Sequence, residues 1–258
     1  MGGFLFDDII FGPVKSRRLG VSLGVNLLPT DYKFCTFDCI YCECGWSQKA
    51  TKKIKLPTRG EIYNRLQSVL IQRKNDSQPI DSITFAGNGE PTLHPDFVGI
   101  IDDTIQLRNT YFPNAVITVL SNASLIHNQK IIGALLKVDK NILKLDAGSE
   151  GTFQKINQPN GNLKLAQVVD YLKKFNGKLI VQALFVQGFN QHSGIDNTSS
   201  SEVEAWIELL KEVKPQCVML YPIERETPEN SIRKVDALTL NKIAEQVEKA
   251  GFKTEVFS

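Results

Sequence analysis

Residues 34–45 read FCTFDCIYCECG and hold four of the chain's five cysteines, Cys35, Cys39, Cys42 and Cys44. Four thiolates this close can surround one zinc or pair as disulfides. Alternatively, three of them can hold an iron–sulfur cluster and leave one iron open. Zinc sites of four cysteines usually build from two C-x-x-C pairs set well apart. Here the third and fourth cysteines form a C-x-C and no second pair follows. Cys35-x3-Cys39-x2-Cys42 instead lets three thiolates face one small cubic cluster from a single turn of loop. Three ligands satisfy three irons of a [4Fe–4S] cube, so the fourth iron takes a ligand from outside the protein.

The compartment bears on this choice. The first residues, MGGFLFDDIIFGP, carry Asp7 and Asp8 and have no basic leader, so they are not read as a secretory signal. Phe6 stands where a myristoylation motif wants Ser or Thr. The most apolar run, Leu179 to Phe189, is short and broken by Gln182 and Gln187, so no membrane span and no membrane partner are expected. A cytoplasmic location follows, where cysteines bind metal or react more often than they pair. The net charge of +2 marks no strong nucleic-acid field.

After the cysteine loop, β-like and helix-like runs alternate along the 258 residues. Arg18–Leu28 reads as extended and leads into the loop. Thr58–Asn75 has a helical period, with Ile62, Leu66, Val69 and Leu70 on one face and a capping box from Thr58 to Glu61. Strands are expected at 81–86, 115–120, 141–146, 178–186 and 216–221, with a last edge strand at 252–257. Helices are expected at 96–111, 128–138, 163–175, 200–213 and 238–250. Repeated βα units with short links mean a parallel sheet covered by helices. About six units, fewer than a closed barrel needs, predict an open partial (β/α)6 TIM-like barrel with its chemistry at the carboxyl ends of the strands.

Cys35-x3-Cys39-x-Tyr41-Cys42 resembles the signature of the radical S-adenosylmethionine (radical SAM) superfamily, in which an aromatic often precedes the third cysteine. Gly12–Pro29 and Lys144–Pro159 (KLDAGSEGTFQKINQP) resemble the branch of iron–sulfur oxidoreductases related to wyosine-base tRNA-modifying enzymes. The resemblance covers nearly the whole chain. It implies a single radical SAM domain over 1–258, with an N-terminal segment and first strand in 1–30, the cluster loop in 31–48 and the remaining βα units in 58–258. It implies that Cys35, Cys39 and Cys42 hold a [4Fe–4S] cluster. The methionine amine and carboxylate of S-adenosylmethionine (SAM) would bind its fourth iron. Cys44 falls outside the pattern, and Cys217 in CVML is expected to be a small core residue.

The same resemblance assigns the pocket. Asn88-Gly89-Glu90-Pro91 looks like the family's GGEP motif, with Asn88 in place of the first glycine. There backbone carbonyls approach the methionine ammonium and a carboxylate offsets its charge. Tyr41 lies near the adenine or packs the loop against the barrel. Phe37 is expected to pack the loop. Ser121 and Asn122, at the end of VITVL, bind a ribose or carboxylate or make an Asx or Ser turn. Lys144 and Asp146 are two apart and share a face. Among apolar neighbours such a pair is costly unless it binds something or pairs internally. Gln182 is an inward polar group toward SAM or substrate, or one satisfied within the barrel. After Tyr221, backbone contacts adenine in the family, and Glu224 and Arg225 follow at the mouth. Lys15, Arg17, Arg18, Lys49, Lys52, Lys53, Lys55 and Arg59 form a basic rim beside the loop or a solvated face. His94 is expected to be structural, and His94, His127 and His192 share no metal-ligand spacing.

The implied enzyme reduces the cluster through a flavodoxin- or ferredoxin-like donor, cleaves SAM to a 5′-deoxyadenosyl radical and takes hydrogen from a substrate. A tRNA base is one candidate substrate and partner. A glycyl residue of a radical enzyme (the activase reading) and a small molecule or peptide are the others. A non-enzymatic electron carrier or zinc protein is the alternative of another class. A monomer is expected.

Overall fold

The computed structural model describes residues 3–16, 18–47, 54–190 and 193–258. The chain runs β1 (Ile10–Ser16), β2 (Gly20–Val25), α1 (Arg59–Asn75), β3 (Ser82–Phe85), α2 (Phe97–Tyr111) and β4 (Val116–Ser121). Next come α3 (Gln129–Leu135), β5 (Lys140–Lys144), α4 (Glu150–Asn157), α5 (Leu165–Lys173), β6 (Ile180–Leu184), β7 (Val186–Asn190) and β8 (Ser193–Asp196). The last elements are α6 (Ser200–Val213), β9 (Cys217–Tyr221), β10 (Ile232–Lys234), α7 (Ala237–Lys249) and β11 (Thr254–Val256).

Eight strands form one sheet in the order β1-β2-β3-β4-β5-β6-β9-β11. The β1–β2 pair is antiparallel and every other pair is parallel. The sheet curls, and β1 and β11 stay unpaired to each other, so the barrel is open. This is the α/β half-barrel that the alternating pattern predicts. Parallel strands with helices on one face and side chains filling the other are buried on both. Accordingly, all four residues of β3 are buried. Helix α1 begins where expected: the Thr58 side chain accepts from Glu61 N–H and the Glu61 carboxylate accepts from Thr58 N–H. Its Ile62, Leu66 and Leu70 are buried, while Val69 is half-buried.

Three features differ from the expectation. The extended stretch at 18–28 is only the second arm of a hairpin. The first arm, β1, is interrupted in sequence by Gly12-Pro13, and Pro is tolerated there because β1 is an edge strand with a register shift between Phe11 and Val14. The run 178–186 is not one strand. It divides at Phe185 between β6 and β7, and β7 joins β8 and β10 in a separate antiparallel sheet of three strands. The stretch at 252–257 does form the expected edge strand, since β11 ends the parallel sheet beside β9. Helix α4 was also not anticipated. Its preceding loop is held by Glu202, whose carboxylate accepts from Gly148 N–H, Ser149 N–H and Ser149 O–H at 2.6, 2.9 and 2.8 Å. Residue 148 is glycine because a Cβ there would meet Glu202 O and Trp206 N at 2.4 Å.

Candidate active site

The cysteine loop leaves the carboxyl end of β2 and is tied down on two sides. Phe34 N–H donates to Asn88 O at 2.8 Å, and Glu90 N–H donates to Phe34 O at 3.2 Å, a short parallel bridge to the end of β3. Gly89 at its centre has φ +141°, and a Cβ there would lie 1.9 Å from Phe34 O. Only glycine fits that backbone approach. On the other side, Asp38 N–H donates to Gln158 O at 3.1 Å, Ile40 N–H to Ile156 O at 3.0 Å, and Asn160 N–H to Thr36 O at 2.8 Å. The end of α4 and the Gln158–Asn160 turn thus form the loop's second seat.

These seats turn Cys35, Cys39, Cys42 and Cys44 toward one cavity of about 600 Å³. Tyr41, Gly89, Glu90, Ser121, Asn122, Lys144, Gln182 and Tyr221 also line it, as do Phe6, Phe11, Lys15 and Arg18 of the N-terminal segment and hairpin. Asn88 and Asp146 do not. The Asn88 side chain turns the other way, accepting from Phe6 N–H and donating to Phe6 O and Pro29 O at 2.8–2.9 Å. Asn88 O is used by Phe34, so Asn88 fastens the N-terminal segment beneath the loop.

Glu90 is 1% exposed, and its carboxylate is fully engaged. Oε1 accepts from Ser121 O–H at 2.8 Å and from Thr92 N–H and O–H; Oε2 accepts from Asn122 N–H at 2.6 Å. Burial raises its pKa, and these donors offset part of the rise. Ser121 and Asn122 do make the turn: Ala123 N–H donates to Ser121 Oγ and Ser124 N–H to Asn122 Oδ1. Asn122 Nδ2 also donates to Thr36 Oγ1 at 2.8 Å and to Cys35 Sγ at 3.5 Å.

Asp146 is enclosed behind the wall. Oδ2 accepts from Asn157 Nδ2 at 2.6 Å and from Tyr41 O–H, and lies 3.5 Å from Lys144 Nζ; Oδ1 accepts from Leu184 N–H at 2.9 Å. Lys144 Nζ donates to Tyr41 Oη at 2.7 Å. Burial disfavours the Lys144 ammonium, but Asp146 outweighs that and holds it above its ordinary pKa. The internal pairing read from the i, i+2 spacing is therefore present, and it also packs Tyr41 against the barrel. Burial and then Asp146 push the Tyr41 phenol well above its ordinary value. Burial raises the Tyr221 phenol, and Lys144 and Gln182 beside it offset part of the rise.

Two residues that the sequence reading missed complete the cysteine environment. Lys33 is 3% exposed and donates to Asp38 Oδ1 at 2.9 Å and Gly45 O at 3.1 Å. Burial works against its charge, yet the neighbouring Cys42, Cys35 and Cys39 hold it above its ordinary pKa. Asn157 Nδ2 approaches Cys39 Sγ at 3.6 Å. Lysine two residues before the first cysteine was the available signal for Lys33; nothing local marked Asn157. Burial and then Glu90 push the Cys35 thiol up to about 12, and burial raises Cys39. Cys42 moves the opposite way, because Cys44 hydrogen-bonds it and Lys33 attracts its thiolate.

The donor set fits an iron–sulfur cluster. Three thiols line one wall, Asn122, Asn157 and the Phe37 N–H (3.4 Å from Cys35 Sγ) point donors at sulfur, and one buried cation faces them. Such N–H···S bonds and nearby charge are how proteins tune clusters. Among the described residues no three His, Cys, Asp or Glu side chains converge as on a single ion. A cube does not ask for that, because each thiolate takes its own iron.

The remaining expected residues fall as follows. His94 Nε2 lies 2.8 Å from Pro57 O, and its Nδ1 accepts from Asp96 N–H, a structural role. Cys217 is buried in β9. Phe37 is buried against Phe153. At the mouth, Arg225 pairs with Glu43 at 2.9 Å and Glu224 with Lys234 at 2.9 Å. Arg17, Lys49, Lys52, Lys53 and His192 lie outside the described residues. Of the other rim residues, Arg59 pairs with Asp103 on the surface, and Lys15 and Arg18 face the cavity. No helix among the described residues is long and apolar enough to cross a membrane.

Residues 30–210 match the family described as the Radical SAM superfamily, and the chain belongs to it. It is therefore an enzyme of the class that uses a [4Fe–4S] cluster, SAM and a reductant. A protein of Brachyspira hyodysenteriae named GTPase Obg is 34% identical over 223 residues, 84% of this chain and 30% of that one. A UPF0026 protein of Methanocaldococcus jannaschii is 31% identical over 239 residues, 90% of this chain and 69% of that one. The chain thus spans under a third of the first relative, and it holds no Gly-Lys-Ser/Thr phosphate loop. Among solved structures, a radical SAM methyltransferase from Sphaerobacter thermophilus superposes with a TM-score of 0.63 at 16% identity, covering 92% of this chain and 65% of that one. TYW1 with a lysine–pyruvate adduct superposes at 0.59 and 14%, covering 88% and 73%. Both likenesses concern the fold.

Proposed function

We propose that the chain cleaves SAM reductively and that Cys35, Cys39 and Cys42 hold the cluster that does so. When bound and reduced, the cluster supplies one electron to the SAM sulfonium, giving methionine and a 5′-deoxyadenosyl radical that takes a hydrogen atom from a substrate. The observation that carries this reading is the Phe34–Gly89 bridge, which fixes the Cys35 segment beside the Gly89-Glu90 turn in one cavity wall.

The chain's own residues have defined tasks in this scheme. Glu90, already braced by Thr92, Ser121 and Asn122, presents negative charge toward the methionine ammonium. Lys33 offsets the thiolate charge from below. Lys144 and Tyr41, locked together by Asp146, shape the wall on which the nucleoside rests, with Gln182 and Tyr221 beside them. Cys44 holds the rim of the loop, with its sulfur 3.5 Å from Gly87 O. A flavodoxin- or ferredoxin-like protein is the proposed electron donor. A tRNA base is the candidate substrate suggested by the resemblance of Gly12–Pro29 and Lys144–Pro159, although Arg59 of the expected basic rim is already committed to Asp103. The test is anaerobic incubation of the iron-loaded protein with SAM and dithionite. Formation of 5′-deoxyadenosine and methionine is expected; iron-loaded protein that makes neither contradicts the reading.

A further inference from the structure

One cation in the cavity is left over from this scheme. Arg18 stands in the turn between β1 and β2, and its Nη1 is shut from water with no hydrogen-bond partner. Its guanidinium lies 5.1 Å from the Tyr221 ring centroid and 5.9 Å from that of Phe257. Those rings belong to the β9–β11 edge of the sheet, so Arg18 reaches across the open side of the half-barrel. The aromatic faces hold the guanidinium plane and give its N–H groups nothing to bond. Leaving a buried donor unpaired costs stability. Two other cations at the wall are compensated, Lys144 by Asp146 and Arg225 by Glu43. Lys15, on the same hairpin, has no carboxylate partner among the described residues and also lines the cavity.

A guanidinium held against aromatic rings with an unpaired Nη1 is a receptor for a planar or tetrahedral oxyanion. SAM carries one anionic group, its carboxylate, which the reading above places at the cluster. The cysteine loop leaves the carboxyl end of β2, whereas Arg18 enters the cavity from the turn before its amino end and rests on the rings of the β9–β11 edge. The anion that Arg18 awaits therefore belongs to the second reactant. We propose that Arg18, flanked by Lys15, binds a carboxylate or phosphate group of the substrate and orients it in the cavity. This rests on the proposed function only for where SAM lies.

The test uses iron-loaded protein with saturating SAM under anaerobic conditions, and inorganic phosphate and malonate as separate probes. One probe should raise the thermal midpoint by about 3 °C or more at ten times its dissociation constant. Which probe does so separates phosphate from carboxylate chemistry. Arg18→Met should abolish the rise and Lys15→Met should weaken binding severalfold. Without anion, Arg18→Met should melt at or above the wild-type midpoint, since methionine keeps the ring contacts and removes the unpaired donor. SAM affinity by equilibrium dialysis should be unchanged. Equal shifts in wild type and Arg18→Met, or no shift with either probe, overturn the proposal. So does a tenfold loss of SAM affinity, which would assign Arg18 to SAM, or a drop of several degrees without anion, which would make it a strut. Protein that makes 5′-deoxyadenosine but ignores both anions fails here alone; protein that makes none fails the reading above, whatever the anions do.

Discussion

Replacing Lys33 with methionine keeps the length of the side chain and removes its charge. Lys33 is 1% exposed at the side chain and Asp38 is 23% exposed. Breaking a fully buried pair costs about 3–5 kcal/mol, because the remaining charge is stranded. Asp38 keeps some water and still accepts from Ser47 N–H at 2.8 Å, which places the cost at the low end. Gly45 O loses its only ammonium donor as well. A loss of about 3 kcal/mol lowers the melting midpoint by roughly 6–12 °C for a chain of this size. The measurement is calorimetry on cluster-free protein in reductant and chelator, so that iron loading does not enter. A midpoint within about 2 °C of wild type would refute the argument that this ammonium holds the loop. Iron retained after reconstitution should also fall, because the thiolates lose a buried neighbouring cation.

Two further predictions follow from the loop's seats and its thiols. Gly89→Ala puts a Cβ into Phe34 O and strains a left-handed backbone, so about 3 kcal/mol or more of stability and most of the iron loading should be lost; wild-type denaturation midpoint and iron content in the variant would count against the bridge. In cluster-free protein, Cys42 titrates below the ordinary 9.0 while Cys35 and Cys39 titrate above it. An iodoacetamide pulse near neutral pH, read by mass spectrometry, should therefore label Cys42 first, and Cys44→Ala should move that labelling to higher pH. Uniform labelling of the three would contradict the assignment.

The half-barrel was legible because its signal is local and repeated. Continuous β-branched runs such as VITVL alternate with periodic helices such as Thr58–Asn75, and each announces itself within a few residues. The hairpin arm β1 was hidden by Gly12-Pro13, whose composition says turn although an edge strand tolerates it. The small sheet of β7, β8 and β10 was hidden because β7 follows β6 without a break in hydrophobicity. In the site, cysteine spacing and the GNGEP turn pointed to residues that line one cavity, since both chemistries need short fixed intervals. What spacing could not reveal was direction. Asn88 sits in the motif yet faces the N-terminal segment, and Asp146 sits beside Lys144 yet lies behind the wall. Asn157, far from the cysteines in sequence, reaches Cys39 only because α4 ends under the loop.

The central claim is a division of one loop into three ligands and a bystander. It is tested by iron analysis and electron paramagnetic resonance on Cys35→Ser, Cys39→Ser, Cys42→Ser and Cys44→Ser, each reconstituted anaerobically, reduced, and examined with and without SAM. Wild type and Cys44→Ser should each carry about four irons per chain, with a reduced-cluster spectrum that changes when SAM is added. The other three should carry neither cluster nor SAM response. Loss of the cluster in Cys44→Ser, or a spectrum in wild type indifferent to SAM, would contradict the account.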